Sequence, residues 1–139
     1  FNPLYGTHHK FYGHMDYFYV SSPHKNTGLW DNYVNATYKS SALTTYNLAI
    51  HHFEVPGKII DYNRRKTNPA LGNEVDFSLL HQLLGGIKIS GGYSQMFNAA
   101  SMKYVKNISE SQKMKPNQNW VWLSLNVQPE ILLFRKPIE

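Results

Sequence analysis

In a chain without cysteine, metal binding and proton transfer fall first to histidine and carboxylate; this sequence holds seven His and nine Asp or Glu. His8–His9, His14 and His51–His52 are the metal candidates. On a strand, neighbouring side chains point to opposite faces, so neither doublet chelates through both rings. There is no His-Glu-x-x-His run and no clustered carboxylate beside them. They read as histidines of a rim and a wet face, and we expect no metal. The missing cysteine also removes disulfides, thiolate metal sites and a Cys nucleophile. Asp16, Asp31, Glu74 and Asp76 could do acid–base work, but each falls into the polar half of an alternating pattern, with no acid and base set apart. Gly85–Gly86 and Gly91–Gly92 lack the Lys-Ser/Thr end of a phosphate loop and read as a turn and a bulge. The expectation is a protein that is not an enzyme and has no cofactor.

The elements that carry these residues alternate with a period of two. Lys10 to Val20 sets Phe11, Met15, Tyr17 and Tyr19 against Lys10, His14 and Asp16. Leu29 to Lys39 sets Trp30, Val34, Ala36 and Tyr38 against Asp31, Tyr33, Asn35, Thr37 and Lys39. Ala42 to Phe53 sets Tyr46, Leu48 and Ile50 against Thr45, Asn47 and His51. Glu74 to Leu84 fits a helix between an Asn73 N-cap and a Gly85 C-cap, but also a strand with Glu74, Asp76, Ser78 and Gln82 on one face. The Gly85–Gly86 doublet, a favoured hairpin link into Ile87 to Phe97, decides for the strand. There Ile87, Ile89, Tyr93 and Phe97 oppose Lys88, Ser90, Ser94 and Met96. Trp120 to Val127 completes the series, with Val121, Leu123, Leu125 and Val127 against Trp122, Ser124 and Asn126.

The whole of 1–139 thus reads as a single all-β segment, an antiparallel up-and-down meander of about six strands: 10–20, 29–39, 42–53, 74–84, 87–97 and 120–127. Short links at Ser40–Ser41 and Gly85–Gly86 alternate with long polar loops at 54–73 and 98–119. Outer-membrane barrels show this alternation of short periplasmic turns and longer extracellular loops. A ten-residue strand rises about 33 Å, and a tilt near 40° brings this to about 25 Å, the height of the lipid-facing band. Trp30, Trp120, Phe97 and Phe77 are then expected at the outer rim, and Tyr38 and Tyr46 at the inner one. Six strands fall short of the roughly eight at which such barrels start; together with Phe1 in place of an initiator Met, this leads us to expect a processed or partial chain, with the missing strands upstream or supplied by association of chains.

Under this topology the wall of the lumen comprises Lys10, His14, Asp16, Asp31, Asn35, Lys39, Asn47, His51, Glu74, Asp76, Gln82 and Lys88. Its acids lie toward the extracellular end and its bases toward the periplasmic end. The formal net charge of +5 resides mainly in the loops. Loop 54–73 carries Lys58, Arg64, Arg65 and Lys66 against two acids; loop 98–119 carries Lys103, Lys106, Lys113 and Lys115 against Glu110. Arg64, Arg65, Lys66, Lys103 and Lys106 are candidates for gathering an anionic solute. No aromatic nucleic-acid platform accompanies them, so nucleic acid is not an expected partner.

Three stretches, FNPLYGTHHKFYGHMDYFYV (1–20), LGNEVDFSLLHQLLGGIKISGGYSQMF (71–97) and NWVWLSLNVQPEILL (119–133), resemble the C-terminal end of the alginate-export family of outer-membrane porin-like proteins of Bacteroidetes-type bacteria. The resemblance implies a monomeric barrel in outer-membrane lipid that passes a solute such as an anionic saccharide. Periodicity by itself leaves open which sheet face points inward. The alternative is therefore a soluble lipocalin-like barrel around a small apolar ligand, with the Trp30, Leu48, Ile50 and Leu123 faces turned inward.

Overall fold

The computed structural model describes residues 12–18, 28–84 and 86–128. Alternating β-branched and aromatic residues fit a pleated, half-buried surface, and the strands form where that alternation runs longest. In chain order the elements are β1 (Trp30–Lys39), β2 (Thr44–Glu54), β3 (Ile59–Ile60), β4 (Lys66–Thr67), β5 (Ala70–Leu84), β6 (Ile87–Asn98), the short helix α1 (Met102–Val105) and β7 (Asn117–Val127). Five of them make one antiparallel sheet in the order β1-β2-β5-β6-β7, while β3 and β4 pair separately within the first long loop. No helix of the described residues is long and apolar enough to cross a membrane, which says nothing about crossing by strands.

The all-β meander expected from the sequence is present, as an open sheet edged by β1 and β7. Strand β5 pairs with β2 on one side and β6 on the other, so the helical alternative for 74–84 loses to two full ladders of hydrogen bonds. Its start moves up to Ala70, and the first loop shortens accordingly. A turn at Asp61 folds the remaining loop into the β3–β4 hairpin: Asp61 Oδ1 accepts the Arg65 N–H at 2.7 Å. Leu84 pairs directly with Ile87, as a two-residue connection requires. The other short link spans 40–43, where Ser40 N–H reaches Thr44 O at 3.2 Å.

Residues 12–18 do not form a strand, contrary to the alternation read over 10–20. Tyr12 (φ 63°), Gly13 (φ 82°) and Asp16 (φ 53°) adopt left-handed conformations that no extended ladder accommodates. What holds them is distant in sequence: the backbone N–H groups of His14 and Met15 donate to the carboxylates of Asp76 and Glu74, at 3.1 and 2.7 Å. Residues 10, 11, 19 and 20 of that reading lie outside the described residues.

The apolar core sits at one end of the sheet, where both long loops emerge. Phe18, Phe53, Val55, Ile59, Leu71, Met96, Met102 and Val105 form it, with Tyr12, Met15 and Tyr17 packed alongside. Phe18 and Phe53 meet at a centroid distance of 4.8 Å. Burying a side chain of this size stabilises by about 1.5–3 kcal/mol relative to exposure, so this cluster fastens segment 12–18 and α1 onto the sheet.

Register divides the sheet into two faces. Tyr33 lies opposite His51, His51 opposite Glu74, Asp76 opposite Ser94, and Ser94 opposite Trp120, all on the polar face. On the other face Val34, Ile50 and Val75 align in one row, and Phe77, Tyr93 and Val121 in another. This second, apolar face is the exposed one: Val34 is 73% exposed, Val121 69% and Leu123 78%. Trp30 and Phe97 mark its loop end, and Tyr38 stacks on Tyr46 near its turn end at 6.3 Å. Two of the expected rim aromatics lie elsewhere. Phe77 pairs with Leu48 and Tyr93 in mid-strand, and Trp120 belongs to the polar face because it shares a parity with Trp122.

Candidate functional site

Nine of the expected lumen residues share the polar face: Asp31, Asn35 and Lys39 on β1, Asn47 and His51 on β2, Glu74, Asp76 and Gln82 on β5, and Lys88 on β6. Strand period and antiparallel register suffice to place them together. His14 and Asp16 are not on a wall strand; they belong to segment 12–18, which lies over this face, and Lys10 lies outside the described residues. The acids Asp31, Glu74 and Asp76 fall toward the loop end, and Lys39 and Lys88 toward the turn end, where both are exposed.

At the loop end the face is not open to solvent. Glu74 is fully buried and Asp76 is 1% exposed beneath segment 12–18. Both therefore anchor that segment rather than line a free passage. Gly13 permits the approach, since a Cβ there would come within 2.5 Å of the Glu74 carboxyl carbon. His51 lies between two carboxylates: Nδ1 is 3.0 Å from both oxygens of Asp31, and Nε2 is 3.8 Å from Asp76 Oδ2. Its ring is stacked between Tyr33 and Phe53, at centroid distances of 5.2 and 5.6 Å. Held on both flanks and at both nitrogens, this imidazole is a fixed structural post, and among the described residues no nucleophilic hydroxyl bonds to it. Among the described residues no group of three His, Asp or Glu side chains is arranged to hold a metal.

Mid-sheet, amides take over. Asn47 Nδ2 donates to Asn35 Oδ1 at 2.9 Å and to Thr37 Oγ1 at 3.0 Å. A cleft of about 450 Å³ opens here, lined by Tyr12, His14, Asp31, Tyr33, Asn35 and His51 among others. A second, also about 450 Å³, lies between His14, Ser78, Trp120 and Trp122. Sequence reasoning left both tryptophans out of the lumen set. The signal that could have included them is their spacing, because residues i and i+2 of a strand face the same way.

The loop bases divide. Arg64, Arg65 and Lys66 are exposed on the β3–β4 hairpin. Lys103 lies over the rings of Tyr62 and Tyr104, with Nζ 5.5 and 4.9 Å from their centroids. Lys106, expected to reach outward for solute, turns inward instead: Nζ donates to Tyr17 O and sits 4.9 Å from the centroid of Phe18. The stem is drawn down by the core beneath it, and burial pushes its ammonium down to about 8. Burial and the nearby Glu74 carboxylate push the Tyr17 phenol above its ordinary value, against an opposing hydrogen bond from Asn98. Between pH 8 and about 10.4, the value of a free lysine, the unfolded chain holds a proton at Lys106 that the folded chain has released. The contribution of Lys106 to stability therefore rises with pH across that window; above about 10 Tyr17 acts in the opposite direction. Denaturant titrations from pH 8 to 10 are expected to show the wild type gaining stability relative to Lys106→Met as the pH rises.

No family model matches this chain, and neither a curated protein nor a solved structure matches it.

Proposed function

We propose that this chain supplies strands of an outer-membrane β-barrel that lets a solute pass by diffusion along its polar face, in the manner of the alginate-export porins its sequence resembles. The observation that carries the reading is the orientation of the sheet. Its apolar face is exposed while the polar face is covered at the loop end, the inverse of a water-soluble half-buried sheet. Trp30, Leu48, Ile50 and Leu123 are 56%, 42%, 50% and 78% exposed. A lipocalin-like barrel would turn the same four inward, so their direction supports the membrane reading over the soluble one. Apolar surface on this scale marks contact with a partner or with lipid, and its run along every strand of the sheet suits lipid.

The connections agree. Short links lie at one end of the sheet, and both long loops, with the basic hairpin, lie at the other. Exposed Arg64, Arg65 and Lys66 at an extracellular mouth would concentrate anions, a carboxylated saccharide among them. The mechanism has no covalent step: a wet wall, a basic entrance and an apolar girdle. Fractionating the source cells and running the outer-membrane fraction on a gel with and without boiling tests it. The expected result is a band in that fraction whose mobility changes on boiling; a soluble band with no heat shift rejects the reading.

A further inference from the structure

Every other residue that β7 directs to the polar face is an amide or a hydroxyl: Gln118, Ser124 and Asn126. Trp120 and Trp122 stand among them, while the outward face of the same strand carries Val121, Leu123, Leu125 and Val127. Two large aromatic rings on the wet side of a strand gain nothing from lipid. A hydrogen bond from its own donor does not explain the placement of Trp122, since its Nε1 is buried and has no hydrogen-bond partner among the described residues. The two rings lie side by side, centroids 6.3 Å apart and planes 31° from each other. Space for them is built into the neighbouring strand: a Cβ on Gly92 would fall 2.5 Å from Trp122 Nε1 and 2.7 Å from Cε2, so the indole occupies the ground that any other residue would fill.

The second cleft, with Ser78 and His14 on its other sides, opens onto this pair. An aromatic surface flanked by a hydroxyl and an imidazole, with Gln118, Ser124 and Asn126 along the same strand face, is selective for something flat, weakly apolar on its face and hydroxylated around its rim. A pyranose ring has that description. Its C–H face carries the slight positive charge that the negative face of an indole attracts, and its hydroxyls match the polar groups around the tryptophans. Among the described residues neither a carboxylate nor a lysine lines the cleft, and the described lining meets a sugar through rings, a hydroxyl and an imidazole.

We propose that Trp120 and Trp122 form a stacking platform for successive pyranose units of a saccharide moving along the polar face, directly below segment 12–18. This rests on the membrane-pore reading and names the class of solute. The three tryptophans allow the two ideas to be tested separately, because Trp30 faces the opposite way. In Trp30→Phe only the polar-face pair reports. Titration of that protein in lipid vesicles with maltotriose, and separately with trigalacturonate, is expected to give a saturable change in tryptophan emission. A response to either sugar supports the platform, and the ratio of the two half-saturation concentrations measures any help from charge. The binding lost on truncating one stacking ring corresponds to about a tenfold rise in half-saturation or more, expected for Trp122→Ala and largely avoided in Trp122→Phe, which keeps a ring. No saturable change with either sugar overturns the platform. In the Trp120→Phe/Trp122→Phe protein, brominated phospholipid should quench Trp30; if it does so while the sugars fail, the pore reading stands and the platform alone falls. If it does not quench, the membrane reading fails and the platform falls with it.

Discussion

Leu123→Arg is expected to destabilise the protein in lipid by about 2–4 kcal/mol, the cost of a guanidinium near the bilayer midplane of a barrel, whereas Ser124→Arg, one residue on, is expected to cost far less. The contrast arises from parity. Leu123 lies mid-strand on the apolar face and is 78% exposed; Ser124 belongs to the polar face. In water a substitution at so exposed a leucine changes stability by no more than about 0.5 kcal/mol in either direction. A large effect at the more exposed leucine therefore has no aqueous explanation. Depth adds a second signature, since Val127→Arg, at the end of the same strand, should cost only about 0–1 kcal/mol. Denaturant unfolding from vesicles measures all three. Equal, small effects at positions 123 and 124 would remove lipid from the account.

Replacing both Glu74 and Asp76 with Ala should release segment 12–18 and widen the passage. The two carboxylates accept the backbone N–H groups of His14 and Met15, and both are buried, so truncation leaves two donors without partners. Each orphaned donor costs about 1–3 kcal/mol, which raises the released population at least about tenfold. Hydrogen exchange at His14 and Met15 is expected to accelerate accordingly. Conductance across a planar bilayer should rise in the same variant, because the segment covers the loop end of the polar face. Faster exchange with unchanged conductance would mean that the segment is fastened there without narrowing the path.

What could be read from the residues, and what could not, divides by the range of the forces involved. Alternation is local, and it located five strands to within a few residues, together with their faces and the short link between Leu84 and Ile87. The ambiguous stretch 74–84 became a strand because its neighbours offered ladders on both sides. Segment 10–20 misled for the converse reason: its alternation is genuine, but the partners that fold residues 12–18 are carboxylates about sixty positions away. Lys106 misled likewise, because its charge was visible and the Phe18–Phe53 core that draws it inward was not. Glu74 and Asp76 lie on the polar face that the alternation predicts, but nothing in their immediate sequence reveals that segment 12–18 lies over them. Trp120 and Trp122 needed only consistent counting along β7.

The outermost strand of the sheet has a history as well as a place. From Asn117 to Val127, β7 contains no charged residue and no proline, and one of its edges is unpaired among the described strands. Strands that live at an aqueous border are usually blunted with lysine, proline or a bulge, because an unguarded edge recruits other chains. Nothing of that kind lies between Asn117 and Val127, which fits the proposed barrel, where the strand would meet a neighbour before it met bulk water for long. In a test tube the order of those meetings is reversed. Diluted from denaturant into buffer without detergent, the protein should grow fibres edge to edge through β7, and a lysine in place of Ser124 should delay them.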